Sequence, residues 1–172
     1  MNHRELAYCG LFGAAALLLP VLFHLIHLGH IFMPMYLPLV TLAFFVRPGM
    51  AALTALIVPL LSGVATGMPP FYPPVAPAMS LELALMALII GTTRVFFPRI
   101  NTLFILIPIL AIGRVVNAML LYLWARCMDL PATFLAGISL LSGWPGLVIM
   151  IVAVPAIVRL ARVPHGVNEE KK

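Results

Sequence analysis

The sequence has very few charged residues. Asp, Glu, Lys and Arg together make up only 9% of the 172 residues, whereas a soluble domain needs roughly a quarter charged residues to cover its surface. Hydrophobic residues make up 63%, and the mean hydropathy is +1.14. Because so little polar surface is available to face water, the composition excludes a soluble domain and indicates an integral membrane protein.

Cysteines and phosphate-binding motifs are scarce as well. The two cysteines, Cys9 and Cys127, fall near opposite membrane faces in the topology below, about 30 Å apart, which no disulfide can span. No Gly-rich loop of the Walker type occurs, and the short loops leave no room for a nucleotide-binding domain. We therefore expect a protein that is not an enzyme and has no cofactor of its own, so that any ATP it uses is bound by a partner.

Long apolar stretches, each long enough to cross a hydrocarbon core of about 30 Å, predict an all-α membrane domain. This single domain covers residues 1–164 and is followed by a polar tail at 165–172. Prolines and glycines interrupt the apolar sequence and predict six transmembrane helices, at about 5–28, 35–46, 50–66, 80–97, 102–127 and 133–161. The segment 67–79 is expected to be a loop because its prolines remove hydrogen-bond donors, and a kink is expected at Gly143-Trp-Pro-Gly146.

The basic residues predict the orientation of the helices. In the six-helix arrangement Arg126 lies on one side, Arg114 lies within a helix, and the other eight of the ten lysines and arginines lie on the second side: Arg4, Arg47, Arg94, Arg99, Arg159, Arg162, Lys171 and Lys172. The positive-inside rule then places both termini in the cytoplasm and the proline-rich loop outside. Anchoring to anionic lipid explains the net charge of +5, so no nucleic acid partner is expected.

Several motifs resemble the substrate-binding S components of energy-coupling factor (ECF) vitamin transporters. They are His27-Leu-Gly-His-Ile-Phe-Met-Pro-Met-Tyr-Leu-Pro38, Pro59-Leu-Leu-Ser62, Thr66-Gly-Met-Pro-Pro70, Leu81-Glu-Leu83, and Pro145-Gly-Leu-Val with Pro155 and Arg159. The resemblance implies a six-helix subunit in the inner or plasma membrane of a prokaryotic cell. Such a subunit captures a vitamin or related precursor from outside and works with a transmembrane coupling subunit and two cytoplasmic ATPases.

The pattern is most similar to members linked to cobalamin or its benzimidazole-containing precursors, with riboflavin, folate, pantothenate and queuosine precursors left open. Members of the family use small residues on the first helix to approach the coupling subunit. Here Gly10 and Ala14, with Ala7 as a neighbour, offer such a contact, because small residues at four-residue spacing let helix backbones come close. Packing within the bundle is the alternative.

Ionisable groups inside a bilayer are costly and usually face a cavity, so His24, His27, Glu82 and Arg114 are candidate binding residues. His24 and Glu82 are expected near the outer surface, with Arg114 as the floor of a shared pocket. The 3.6-residue period places Asn117, Leu121 and Trp124 on the face of Arg114. Alternatively, Arg114 and Asn117 satisfy interior backbone carbonyls, and Glu82 interacts with the dipole at the start of its helix.

Phe71 and Tyr72 in the proline-rich loop have the properties of a lid, because an aromatic ring can stack over a flat heterocycle. An interfacial aromatic belt is the alternative. His24, His27 and His30 repeat every three residues, which leaves open an intramembrane metal-dependent enzyme that also uses Glu82. The remaining alternative is a structural subunit of a membrane complex.

Overall fold

The computed structural model describes residues 3–25, 32–141 and 143–162. Within these ranges the chain forms seven helices and no β-strand: α1 His3–Leu25, α2 Tyr36–Leu42, α3 Pro48–Thr66, α4 Val75–Phe96, α5 Thr102–Cys127, α6 Ala132–Leu141 and α7 Trp144–Arg162. The prediction of an all-helical protein is confirmed. The end of the first predicted helix at 26–28 and the tail 165–172 lie outside the described residues.

Five segments of the described chain are long and apolar enough to cross a membrane: His3–Phe23, Pro48–Thr66, Val75–Phe96, Thr102–Cys127 and Ala132–Ala161. Their outer faces carry exposed large apolar side chains such as Leu18, Phe104 and Val152. This is the surface that contact with lipid requires, because hydrocarbon cannot solvate polar groups. The chain is therefore a multi-pass membrane protein.

Helix α2 is the shortest element and lies in the centre of the bundle. Its seven residues cover only about 10 Å at 1.5 Å per residue, so it cannot cross a membrane by itself. The predicted helix over 35–46 is shorter in the structure because residues 43–46 form turns. Helix α2 packs against α1, α3, α4 and α7, and Leu39 and Leu42 are completely buried in the core.

Two contacts bring the start of α1, the start of α3 and the end of α4 to one end of the bundle. Glu5 forms an ion pair with Arg47, with 3.3 Å between Oε1 and Nε. The Arg94 guanidinium lies 5.5 Å from the centre of the Phe44 ring. We call this end, which carries Glu5, Arg47 and Arg94, the basic end. The opposite end, which carries the loop 67–74, is called the loop end.

Helix α4 begins earlier than predicted, at Val75 rather than near Ser80. Pro77 is its third residue, and the first turn of a helix has no intrahelical partners for its N–H groups, so proline is tolerated there. Glu82 consequently lies beyond the first turn, where the effect of the helix dipole has faded. The dipole interpretation of Glu82 is therefore wrong, and other partners must account for its burial.

The predicted interruption at Gly143-Trp-Pro-Gly146 lies where α6 ends and α7 begins. Gly143 has a positive φ of 79°, a conformation that glycine adopts without the steric cost that other residues incur. Pro145 then occupies the first turn of α7, where its fixed φ suits the start of a helix. The predicted kink is a break between two helices that share one apolar segment.

Candidate functional site

A cavity of about 420 Å³ lies between the helices at the loop end. Its walls come from the end of α1, residues 33–36, the loop, the start of α4, and helices α5 and α6. Most of the lining is apolar and includes Met33, Met35, Met68 and Met79. The volume falls in the range of about 300–1,000 Å³ that is typical of small-molecule sites, which are mostly apolar with a few polar groups.

A chain of buried hydrogen bonds runs behind and along one wall of this cavity. Tyr36 donates its hydroxyl proton to Oε2 of Glu82, and Nδ2 of Asn117 donates to the same oxygen over 2.6 Å. The Ser139 hydroxyl donates to Oδ1 of Asn117 over 2.7 Å, and Nη1 of Arg114 donates to the Ser139 carbonyl over 3.4 Å. We call these five residues the polar network. It joins α2, α4, α5 and α6 around the cavity.

Arg114 is the charged residue that lines the cavity. Its side chain contacts the thioether of Met33, and its guanidinium carbon lies 5.6 Å from the centre of the Tyr36 ring. The residue is only 7% exposed. Within the described residues the one ion pair joins Glu5 to Arg47. No carboxylate of these residues therefore lies at salt-bridge distance from Arg114. Its guanidinium has five N–H donors and bonds one oxygen, the Ser139 carbonyl.

Glu82 lies behind the cavity wall and positions its neighbours. It is 1% exposed and is not part of the lining, whereas its two partners Tyr36 and Asn117 are. Gly113 allows α5 to approach α4 at this point, because a Cβ there would lie 2.5 Å from Sδ of Met86 and 3.2 Å from Oε1 of Glu82. A buried carboxylate is costly unless it is hydrogen-bonded, and the two donors stabilise it.

The loop 67–74 is folded against α3 and closes one side of the cavity. The Ser62 hydroxyl donates to the Met68 carbonyl over 2.6 Å. A Cβ at Gly63 would lie 2.8 Å from both the Phe71 ring and the Pro69 carbonyl oxygen, so α3 needs glycine at this contact. Met68, Pro69 and Pro70 line the cavity, which places the loop at its mouth.

The residues predicted from the sequence have different positions relative to this cavity. Arg114, Asn117 and Leu121 line it, and Glu82 contacts it through its hydrogen-bond partners. Three predicted residues are exposed and do not belong to the described lining: Phe71 at 45%, Tyr72 at 67% and Trp124 at 37%. The His24 side chain, His27 and His30 lie outside the described residues.

Sequence reasoning missed Tyr36, Ser139 and Met33. Tyr36 and Met33 lie in the Phe-Met-Pro-Met-Tyr segment that carries the family resemblance, so the motif itself was a signal for them. Ser139 is a lone polar residue in an otherwise apolar part of α6, and a buried polar residue in such a helix needs a partner. The position of each partner depends on helix packing.

Two of the alternative interpretations can be compared with this geometry. Arg114 does satisfy a backbone carbonyl, that of Ser139, whereas Asn117 bonds to two side chains instead. For the metal alternative, residues 3–23, 32–140 and 143–161 contain no group of three or more His, Cys, Asp or Glu that could hold an ion. The three histidines of that hypothesis fall outside these ranges, so it stays a prediction.

The small residues predicted for a partner contact face outward. Ala7, Gly10 and Ala14 are all exposed, whereas Gly13 and Ala16 are buried on the inner face of α1. A Cβ at Gly10 would meet no atom within 4 Å. Packing within the bundle therefore does not account for the small side chains at these three positions.

Comparisons with known proteins return no match: no family model, no curated protein and no solved structure matches this chain. A proposal for its function therefore depends on the cavity, the polar network and the motifs.

Proposed function

We propose that the chain is the substrate-specific S component of an ECF-type importer, a subunit that binds a vitamin or related precursor from the exterior. The observation that supports this most strongly is the cavity of about 420 Å³ with the buried polar network along one wall. Buried polar groups within a bilayer are costly and mark substrate pathways. The cavity has the size of a small-molecule site and lies beside these groups, so binding of a solute would account for their presence.

On this proposal the chain crosses the membrane six times. Helix α1 begins at the basic end. Arg47, which immediately precedes α3, forms an ion pair with Glu5 at the start of α1, so the chain has returned to the basic end before α3 begins. The segment between α1 and α3, which includes α2, then forms the second crossing. Helices α3, α4 and α5 form the next three, and α6 and α7 together form the sixth, as in the bundle that the family resemblance implies.

The distribution of charge supports capture from outside. Among the described residues Arg4, Arg47, Arg94, Arg99 and Arg159 lie toward the basic end, and Arg126 lies toward the loop end. Because positive charge accumulates on the cytoplasmic side, the cavity at the loop end faces the exterior. Both termini are then cytoplasmic, in the cell membrane of a prokaryote.

The partners on this proposal are a transmembrane coupling subunit and two ATPases. The exposed Ala7, Gly10 and Ala14 offer the coupling subunit a smooth surface on α1, since small residues allow close approach of helix backbones. The ATPases supply the energy that drives release of the solute into the cytoplasm. The chain itself then needs neither catalytic residues nor a cofactor.

Co-purification tests the proposed partnership. The chain is coexpressed with a tagged coupling subunit and its two ATPases, and the amount that co-purifies is measured for wild type, Gly10→Leu and Ala14→Leu. Ala111→Leu is the matched control, because Ala111 is an exposed small residue on α5. We expect a loss of at least tenfold for the two α1 variants and none for the control. Equal recovery of all four proteins would contradict the contact.

Accessibility labelling tests the direction of capture. Cys127 is exposed and is the last residue of α5, at the loop end, whereas Cys9 is buried. In a Cys9→Ala background, a membrane-impermeant maleimide added to intact cells should label Cys127. Labelling only after the membrane is opened would place the cavity in the cytoplasm and refute uptake from outside.

Stoichiometric bound metal in the purified protein would instead favour the enzyme alternative.

A further inference from the structure

The size of the cavity limits what can bind in it. At about 30 Å³ for each water molecule, the volume of about 420 Å³ holds on the order of 14 waters. Bonded atoms pack more closely than separate waters, so a bound molecule has on the order of 14 to 20 non-hydrogen atoms. This is the size of one or two fused rings with substituents. A whole corrinoid has several times as many atoms, so most of it would remain outside the cavity.

The apolar walls favour a flat, unsaturated ring. Met33, Met35, Met68 and Met79 surround the space together with the ring of Tyr36. Thioether sulfur is polarizable and makes favourable contacts with aromatic rings, and methionine adapts to irregular shapes. A saturated, strongly hydrated molecule such as a sugar would lose its hydrogen bonds to water against these walls.

One wall of the cavity offers hydrogen-bond donors. The Arg114 guanidinium donates to the Ser139 carbonyl and contacts the Met33 thioether, and its remaining N–H groups are available to a bound molecule. Asn117 uses its carbonyl oxygen to accept from Ser139 and one N–H to donate to Glu82, and its second N–H is a further donor. A molecule that fits this wall therefore presents acceptors, such as a ring carbonyl or an unprotonated ring nitrogen.

We infer that the cavity binds a compact, planar heterocycle of about 14 to 20 non-hydrogen atoms, with its acceptor edge against Arg114 and Asn117. The inference rests on the proposed function and narrows its range of substrates. It selects small ring compounds, including the benzimidazole type, over larger molecules such as whole corrinoids and folate and over pantothenate, which has no ring.

Native mass spectrometry tests this substrate class. The purified full-length protein is incubated with the small-molecule extract of a bacterium that encodes it, and the retained compound is weighed and then fragmented. We expect one adduct with a mass on the order of 200–300 Da, which follows from the atom count above, and a structure that contains a planar, unsaturated ring.

Three variants place the adduct in the cavity. Arg114→Met removes the donors and should lower retention of the adduct at least tenfold. Met79→Trp leaves the polar network intact and fills the space, and it should abolish retention even if Arg114→Met does not fold. Met119→Leu is the control, because Met119 is exposed on the same helix as Arg114 and its replacement should change nothing.

The possible results separate this inference from the proposed function. A retained compound that lacks an unsaturated ring, or has more than twice the expected mass, overturns the inference and leaves an importer subunit in place. Wild-type retention in both Arg114→Met and Met79→Trp also overturns it, because the compound would then bind elsewhere. If the wild-type protein retains no compound from the extract, the result counts against the proposed function itself.

Discussion

The hydrogen bond between Ser139 and Asn117 should contribute measurably to the stability of the bundle. It joins α5 to α6 over 2.7 Å, and its two residues are only 7% and 5% exposed. Ser139→Ala removes the hydroxyl and keeps the backbone carbonyl that Arg114 contacts. Asn117→Leu keeps the approximate volume and removes both side-chain bonds of Asn117. The two changes and their combination form a double-mutant cycle.

The expected magnitudes follow from the number of bonds that each change removes. Hydrogen bonds between membrane helices contribute about 0.6 kcal/mol on average and at most about 1.7 kcal/mol, so the coupling energy should lie in that range. Asn117→Leu also leaves the buried Glu82 carboxylate with Tyr36 as its remaining side-chain donor. This second bond contributes about 0.5–1.5 kcal/mol to a neutral acceptor and about 1.5–3 kcal/mol to a charged one, so we expect a total loss of about 1–5 kcal/mol.

Unfolding by SDS in mixed micelles, followed by circular dichroism, measures these free energies. The control cycle pairs Ser139→Ala with Met119→Leu, whose side chain is 56% exposed on α5, and its coupling energy should be zero. The reasoning is refuted if the Asn117–Ser139 cycle also gives zero coupling while both single variants fold. It is equally refuted if Asn117→Leu is no less stable than Met119→Leu.

Two further predictions concern the break before α7 and the loop. Gly143→Ala should lower the free energy of unfolding by about 2–5 kcal/mol, as measured by SDS unfolding. The positive φ of Gly143 accounts for about 1–2 kcal/mol, and overpacking of the new Cβ against Met33 accounts for about 1–3 kcal/mol. Adding Met33→Ala should restore the part that is due to overpacking. Ser62→Ala removes the bond to the Met68 carbonyl and should speed hydrogen exchange at residues 67–76, which mass spectrometry follows; an unchanged rate would show that the bond does not hold the loop.

The helical class and the charged floor of the cavity could be predicted from the sequence because each depends on a local property. Scarcity of charge indicates a membrane protein whatever its topology. The 3.6-residue period placed Arg114 and Asn117 on one face of α5, and both are buried and line the cavity. The same period also predicted that Trp124 lies on this face. In the structure Trp124 lies at the edge of the stripe and is exposed, and the neighbouring Ala125 occupies the buried position.

The partners of Glu82 could not be predicted, because they depend on how distant helices pack. Tyr36 is separated from Glu82 by 46 residues and Asn117 by 35, and no local pattern predicts such pairs. The interpretation of Glu82 failed for a local reason as well. The prolines before Ser80 predict a loop, whereas Pro77 occupies the first turn of α4, in which no N–H partner is needed.

The central position of α2 has a consequence for how the protein is made. A seven-residue helix is too short for the insertion machinery to release into lipid as a stable span, and the surfaces that bury it include α4 and the C-terminal α7. The ribosome therefore produces this segment long before its last neighbour exists. Until α7 is synthesised, α2 lacks part of the surface that buries it, so truncation before α7 should destabilise the protein and lower its amount in the membrane.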